Sequence, residues 1–385
     1  MKSRIAILIG LAGLGLSGCT LGHRGPLPPP AALTGGDELV DQARQLSAEK
    51  GLVAARDFLT DELARRDDSR GQMEMRFRRA STDPDQVYAD ALAAQPEAVR
   101  GSIGFAFIPG MRAKAGNEES KPVAALRHAA TACERRGFQA RLIPAVGRGD
   151  VDKNAAAMAG SLREVFEEND HVFLVAKSKG AHDLIYFLRN QGAAFPAELR
   201  RKLRGVCILA GTVQGSYVAD WFANHPDPWA VGARASLLLT GKGAQIPMLR
   251  TVGQSPWRGA PATFPRDTFP HLTWINLAVL PEGEDGRASG REWSKFYSGH
   301  IQKTAGWESP SDSLVETAAE VLPGHIDVPE WIIRVRGNHA FPSGRFLDGS
   351  KITPRTPPLP DGMNPASGGD IMDAFLRSLP ASLLR

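Results

Sequence analysis

Residues 171–182, His-Val-Phe-Leu-Val-Ala-Lys-Ser-Lys-Gly-Ala-His, constrain this chain more than any other stretch. The apolar, β-prone run Val172 to Val175 suits a strand buried on both faces, as in a parallel sheet covered by helices. The run breaks at Ser178, and helical spacing follows from Gly180 to Leu188. Ala176 and Gly180 stand two residues before and two after Ser178. Small residues are needed there because a sharp strand-to-helix turn brings backbone segments into close contact.

The same alternation of short apolar runs and helical segments extends from about Gly101 to His339 and predicts an α/β fold with a mostly parallel sheet. Strands are expected at Ile103–Ile108, Ala140–Pro144, Val172–Val175, Val206–Leu209, Trp274–Leu280 and Trp331–Val335. Helices are expected at Lys121–Arg136, Asn154–Glu168, Gly180–Leu188 and Ser313–Val321. Before this core, Leu39, Val40, Ala43, Leu46, Val53, Ala54, Phe58, Leu59 and Leu63 recur at helical spacing around Gly51. They predict a helical hairpin over residues 37–70, within an N-terminal extension of residues 37–100. The core is expected over residues 101–345. Residues 217–271, which hold Trp221, Trp229 and Trp257, are too long for an ordinary connection and read as a lid-like insertion. Gly286–Ser311 is a second, smaller insertion. Residues 346–385 read as a loop closed by a helix at Asp370–Leu379.

Met1 to Arg4 carry positive charge and lead into the apolar run Ile5–Leu16, which ends in Leu16-Ser17-Gly18-Cys19. The run is too short to span a bilayer and fits a cleaved signal segment over residues 1–18. Leu-Ser-Gly-Cys resembles the lipobox of bacterial lipoproteins, which implies cleavage before Cys19 and attachment of lipid, palmitate included, to the mature N-terminal Cys19. A plain secretory peptide with an incidental Cys is the alternative. Residues 19–36 are rich in Pro and Gly and read as a tether. Thr20 is not the Asp that in that family often marks inner-membrane retention, so the resemblance implies an outer-membrane anchor facing the periplasm of a Gram-negative cell.

The formal net charge is only +4, two units of it from Lys2 and Arg4 in the signal segment, too small a bias to argue for nucleic acid. Cys133 and Cys207 are the other two cysteines. They imply no disulfide framework, and the sequence leaves open whether they pair.

In its strand-turn-helix context, Ala176-Lys177-Ser178-Lys179-Gly180 reads as a nucleophile elbow, with Ala176 in place of the usual first Gly. The competing reading of Ser178 is a helix N-cap, a position that Ser favours. Across Gly101–His339 the chain resembles the α/β-hydrolase superfamily, with the order nucleophile, acid, His. The resemblance makes Ser178 the nucleophile and His339, just past the last strand, the base; an ordinary loop imidazole is the competing reading of His339. The acid is expected after the penultimate strand, where Glu282, Glu284 and Asp285 cluster. Asp285, in Gly283-Glu284-Asp285, best matches the family's Gly-x-Asp, although an acidic surface turn would look the same. The oxyanion hole would use the amides of Lys179 and Met111, the latter in Ile108-Pro109-Gly110-Met111. His182 lies one turn into the helix and reads as a packed residue. No His, Cys and carboxylate spacing makes a metal site, and the chemistry needs no cofactor.

Two functions follow. One is a lipid-anchored serine hydrolase, esterase- or lipase-like, acting on an ester, thioester or amide of a small-molecule or lipid acyl substrate. The other is a catalytically inactive α/β-hydrolase-like envelope lipoprotein with a binding or scaffold role. Oligomeric state is not legible.

Overall fold

Most of the strands are short, apolar and buried along nearly their whole length, so they have to be covered on both faces. In the computed structural model, which describes residues 38–111, 121–144, 149–288, 299–339 and 368–385, they form one six-stranded sheet with every pairing parallel. In chain order, helices α1 (Glu38–Lys50), α2 (Leu52–Arg66) and α3 (Gln72–Thr82) lead to β1 (Ile103–Ile108). Then come α4 (Lys121–Arg135), β2 (Gln139–Leu142), α5 (Val151–Glu168), β3 (His171–Lys177), α6 (Lys179–Asn190) and β4 (Leu203–Leu209). Helices α7 (Tyr217–Asn224), α8 (Pro228–Leu239) and α9 (Gln245–Gly253) precede β5 (Thr273–Pro281) and β6 (Glu330–Gly337), and α10 (Gly368–Ser378) closes the chain. The spatial order β2-β1-β3-β4-β5-β6 puts β3 in the interior of the sheet.

Alternation along the strands sorts the core into two layers. Phe105, Phe107, Phe173, Val175 and Cys207 meet α3, α4 and α10 on one face. Ala106, Ile108, Leu174, Ala176 and Ile208 meet α5 and α6 on the other. Leu39, Val40, Leu59 and Leu63 of α1 and α2 pack on Ala278, Leu280 and Ile332 of β5 and β6. The α/β architecture expected from the sequence is the one observed. Cys133 and Cys207 are buried free thiols.

One expected element differs. Ser313–Val321 is not an α-helix but a buried loop ending in a single 3-10 turn at Thr317–Glu320. The side chain of Asp312 accepts hydrogen bonds from Leu314 N and Val315 N, both at 2.8 Å, and Ser313 takes a positive φ of 92°. An Asp that bonds the backbone just ahead of it offers an alternative to helix, and the apolar spacing of this segment did not reveal that competition. The insertion at 217–271 holds α7, α8 and α9. Cys19, the signal segment, the tether and residues 340–367 lie outside the described residues.

Candidate active site

The elbow sets the site. Ser178 leaves β3 with φ 54° and ψ −130°, a conformation that non-glycine residues rarely take and that costs about 1–3 kcal/mol. Gly180 must be glycine, because a Cβ there would lie 2.6 Å from Ile108 O and 2.9 Å from Pro109 O. Gly110 presses on Ser178 from the other side, its hypothetical Cβ 3.0 Å from Lys177 O and from Ser178 Cβ. Ala176, in the position usually held by Gly, is fully buried beside Ile108 of β1. Ser178 occupies the N-cap position of α6, yet its side chain makes no capping bond. Its hydroxyl goes elsewhere.

Ser178 Oγ lies 2.7 Å from His339 Nε2. His339 follows β6 by two residues and is buried, and its Nδ1 is 2.5 Å from Asp312 Oδ2. The backbone repeats the link, with His339 N donating to Asp312 O at 2.8 Å. The fully buried Asp312 carboxylate therefore takes three donors, Leu314 N and Val315 N on Oδ1 and the imidazole on Oδ2. The expected pair Ser178 and His339 comes together, and a carboxylate stands behind the imidazole.

That carboxylate is Asp312, not Asp285. The ends of β5 and β6 are neighbours, Pro281 pairing with Gly337, so an acid just after β5 was a reasonable expectation. The acidic turn is instead pulled onto α2, with Arg56 donating to Gly283 O at 2.7 Å. Asp285 points to solvent, 69% exposed, and accepts from Arg287 N at 3.0 Å. Glu284 is also exposed. Asp312 comes 31 positions after the end of β5 by residue number, beyond the second insertion. The cluster Ser309-Pro310-Ser311-Asp312-Ser313 carries a turn signal, which marks a bend in the chain and does not single out an acid.

The amide of Lys179 is the first of α6, a position with no acceptor within its own helix. Met111 follows Gly110 and packs beside Val151, Met248 and Val252, so α9 of the insertion flanks this side of the site. On the other side Tyr217 of α7 donates to Ser313 O at 3.0 Å, next to Asp312. The insertion thus touches both ends of the Ser178–His339–Asp312 array.

The lysine side chains flanking Ser178 are buried. Lys179 turns into the core and binds both oxygens of Asp183, at 2.6 and 2.7 Å, while Asn154 donates to the same carboxylate at 2.9 Å. Burial pushes Asp183 up to about 6, with Lys179 and Asn154 limiting the rise, and burial likewise lowers the Lys179 amine. The Lys179 charge is therefore spent on a structural pair inside α6. His182 is fully buried, with Nδ1 3.3 Å from Thr212 O, and burial followed by the Lys179 charge pulls it down to about 3. It is a neutral, packed imidazole. Among the described residues no group of three His, Cys, Asp or Glu is placed to hold a metal ion.

No family model matches this sequence, and no curated protein matches it. Solved structures do. A metagenomic carboxyl esterase is 19% identical over 72% of this chain and 75% of its own, with a TM-score of 0.47. A lipase from Bacillus licheniformis is 19% identical over 64% of this chain and 87% of its own, with a TM-score of 0.41. The RedJ thioesterase of prodiginine biosynthesis in Streptomyces coelicolor is 14% identical over 68% of this chain and 87% of its own, with a TM-score of 0.34. At such similarity the chemistry has to be argued from the side chains themselves.

Proposed function

We propose that this protein is a serine hydrolase that cleaves an ester, thioester or amide through an acyl-Ser178 intermediate. The observation that carries the proposal is the continuous array Ser178 Oγ, His339 Nε2, His339 Nδ1 and Asp312 Oδ2. A serine hydroxyl is a weak nucleophile until a base takes its proton, and the base works only if a third group holds its tautomer and orientation. His339 takes the Ser178 proton as Oγ attacks the carbonyl carbon, and the imidazolium that forms is stabilised by Asp312. His339 then gives the proton to the leaving alcohol, thiol or amine. Water repeats the sequence on the acyl-enzyme, releasing the carboxylic acid and restoring Ser178. The amides of Lys179 and Met111 are the donors proposed for the tetrahedral oxyanion.

For the substrate we propose an acyl chain with substantial apolar character. Helix α8 of the insertion exposes Trp229, Leu238 and Leu239, the last to 88%, on an insertion that flanks the site. Anchoring at the outer membrane through lipidated Cys19 belongs to the same proposal and rests on the sequence of residues 1–36.

Labelling with a fluorophosphonate, which traps an activated serine covalently, tests the catalytic proposal. The wild-type chain should label, and Ser178→Ala and His339→Ala should not. Labelling equal in all three, or absent from all three, would overturn it, and absence would leave the binding or scaffold role. Metabolic labelling with an alkyne-bearing palmitate, comparing wild type with Cys19→Ser, tests the anchor: incorporation should disappear in the variant.

A further inference from the structure

Behind Asp312 lies a second buried acid that the catalytic array does not use. Glu320 ends the 3-10 turn Thr317–Glu320 and is 1% exposed. Its Oε2 accepts from Val279 N of β5 at 2.8 Å. Its Oε1 is buried and receives no hydrogen bond from the described residues, and the Glu320 carboxyl lies within hydrogen-bonding reach of the Asp312 side chain. Glu316, the other acid of this loop, shows what an ionised carboxylate needs here: Arg44 of α1 holds both its oxygens, at 2.9 and 2.6 Å. Among the described residues Glu320 has no such cation. Two acceptor-only carboxylates cannot sit side by side in a buried site unless one carries a proton. Asp312 already has three donors on its two oxygens, so the proton belongs on Glu320.

We propose that Glu320 is a positioning residue for the catalytic array, a neutral carboxylic acid whose Oε1–H donates to Asp312 and fixes the plane in which Asp312 receives the His339 imidazole. The inference rests on the serine-hydrolase reading for its effect on rate, and on the burial of the two carboxylates and the donors each one has for the proton. Burial, and then the neighbouring Asp312 charge, raise the Glu320 carboxyl well above the usual range, which agrees. The arrangement links β5, the acid loop and the His339 loop through one side chain. Val279 N is its anchor on the sheet, and Asp312 is the group it aims.

The test compares Glu320→Gln with Glu320→Leu in the full chain. Gln is neutral, can accept from Val279 N and can donate to Asp312; Leu has similar size and does neither. A hydrogen bond to a charged group is worth enough that Glu320→Leu should lose about 10–100-fold in kcat with KM little changed, while Glu320→Gln keeps most of the activity. Equal activity in wild type and both variants, or equal loss in both variants, overturns the positioning role. The infrared difference spectrum of wild type minus Glu320→Gln at neutral pH reads the proton independently of turnover. It should contain the carbonyl stretch of a protonated carboxylic acid, and a carboxylate band in its place overturns the proposal. That measurement works even on a chain that does not label with fluorophosphonate, so failure of the serine-hydrolase reading and failure of this one are distinguishable.

Discussion

At the scale of single residues, the proposed chemistry turns on the hold that Asp312 has on the imidazole. An imidazole can pass a proton from Ser178 only while its Nδ1–H is held, so the residue on Nδ1 fixes the tautomer. Asp312→Asn should lower kcat about 10⁴-fold, the scale of losing the correct tautomer in such an array, while the protein stays folded. Asp285→Asn should leave kcat unchanged, because that side chain is exposed and its partner is Arg287. Steady-state hydrolysis of a chromogenic ester by the two variants checks both. Gly180→Ala probes the elbow itself. The new Cβ would collide with two backbone carbonyls, which cannot rotate away as a side chain would. The elbow must shift, at a cost of about 1–3 kcal/mol in stability. Displacement of Ser178 by about 1 Å can cost about 100-fold in kcat. Thermal melts and ester turnover of Gly180→Ala measure the two effects separately.

At the scale of elements, the N-terminal helices do more than cover the sheet. Arg44 of α1 grips Glu316, a carboxylate only 1% exposed, and lies over the Trp307 ring at 4.0 Å. Glu316 bridges to Ser311, the residue before Asp312, so α1 braces the loop that carries the acid. Removing one partner of a buried pair strands the other charge. Arg44→Met should destabilise the protein by about 3–5 kcal/mol, and adding Glu316→Gln should return much of that. Urea denaturation of the single and double variants gives the comparison. The regular elements were legible in the sequence because local pattern decides them: β1, β3 and the helices α1, α2 and α6 follow from apolar period and from glycine at the turns. Ser178 and His339 were legible for a related reason, since each stands where a strand ends. Asp312 was not. Its loop is held by contacts distant in sequence, Gln214 donating to Val321 O at 3.0 Å and Thr317 to Val279 O at 2.7 Å, and its apolar residues happen to fall at helical spacing. No local pattern reports a loop whose shape is set by contacts with residues about 40 to 100 positions away.

At the scale of the whole molecule, the buried ionisable groups of α6 couple stability to pH with opposite signs. His182 binds a proton at about 3 in the fold against 6.5 when unfolded, so below pH 6.5 the unfolded chain takes up the proton and the folded one does not. Its contribution to stability is complete above pH 6.5 and is lost as pH falls toward 3. Between pH 7 and pH 5 the loss is about 2 kcal/mol. Asp183 runs the other way. Its folded value of about 6 lies above the ordinary 3.8, so the fold takes up this proton first, and the cost of burying the charge is relieved as pH falls from 6 to 3.8. The wild-type profile therefore contains two slopes that offset one another between pH 6 and 4, and a flat curve would conceal both. Variants separate them. The stability difference between wild type and His182→Gln should shrink by about 2 kcal/mol from pH 7 to pH 5, because only the wild type carries the buried imidazole. The difference between wild type and Asp183→Asn should move in the wild type's favour over pH 6 to 4. Urea midpoints measured at each pH for the three proteins decide the matter, and parallel curves would mean that neither group is held in the fold as its burial requires.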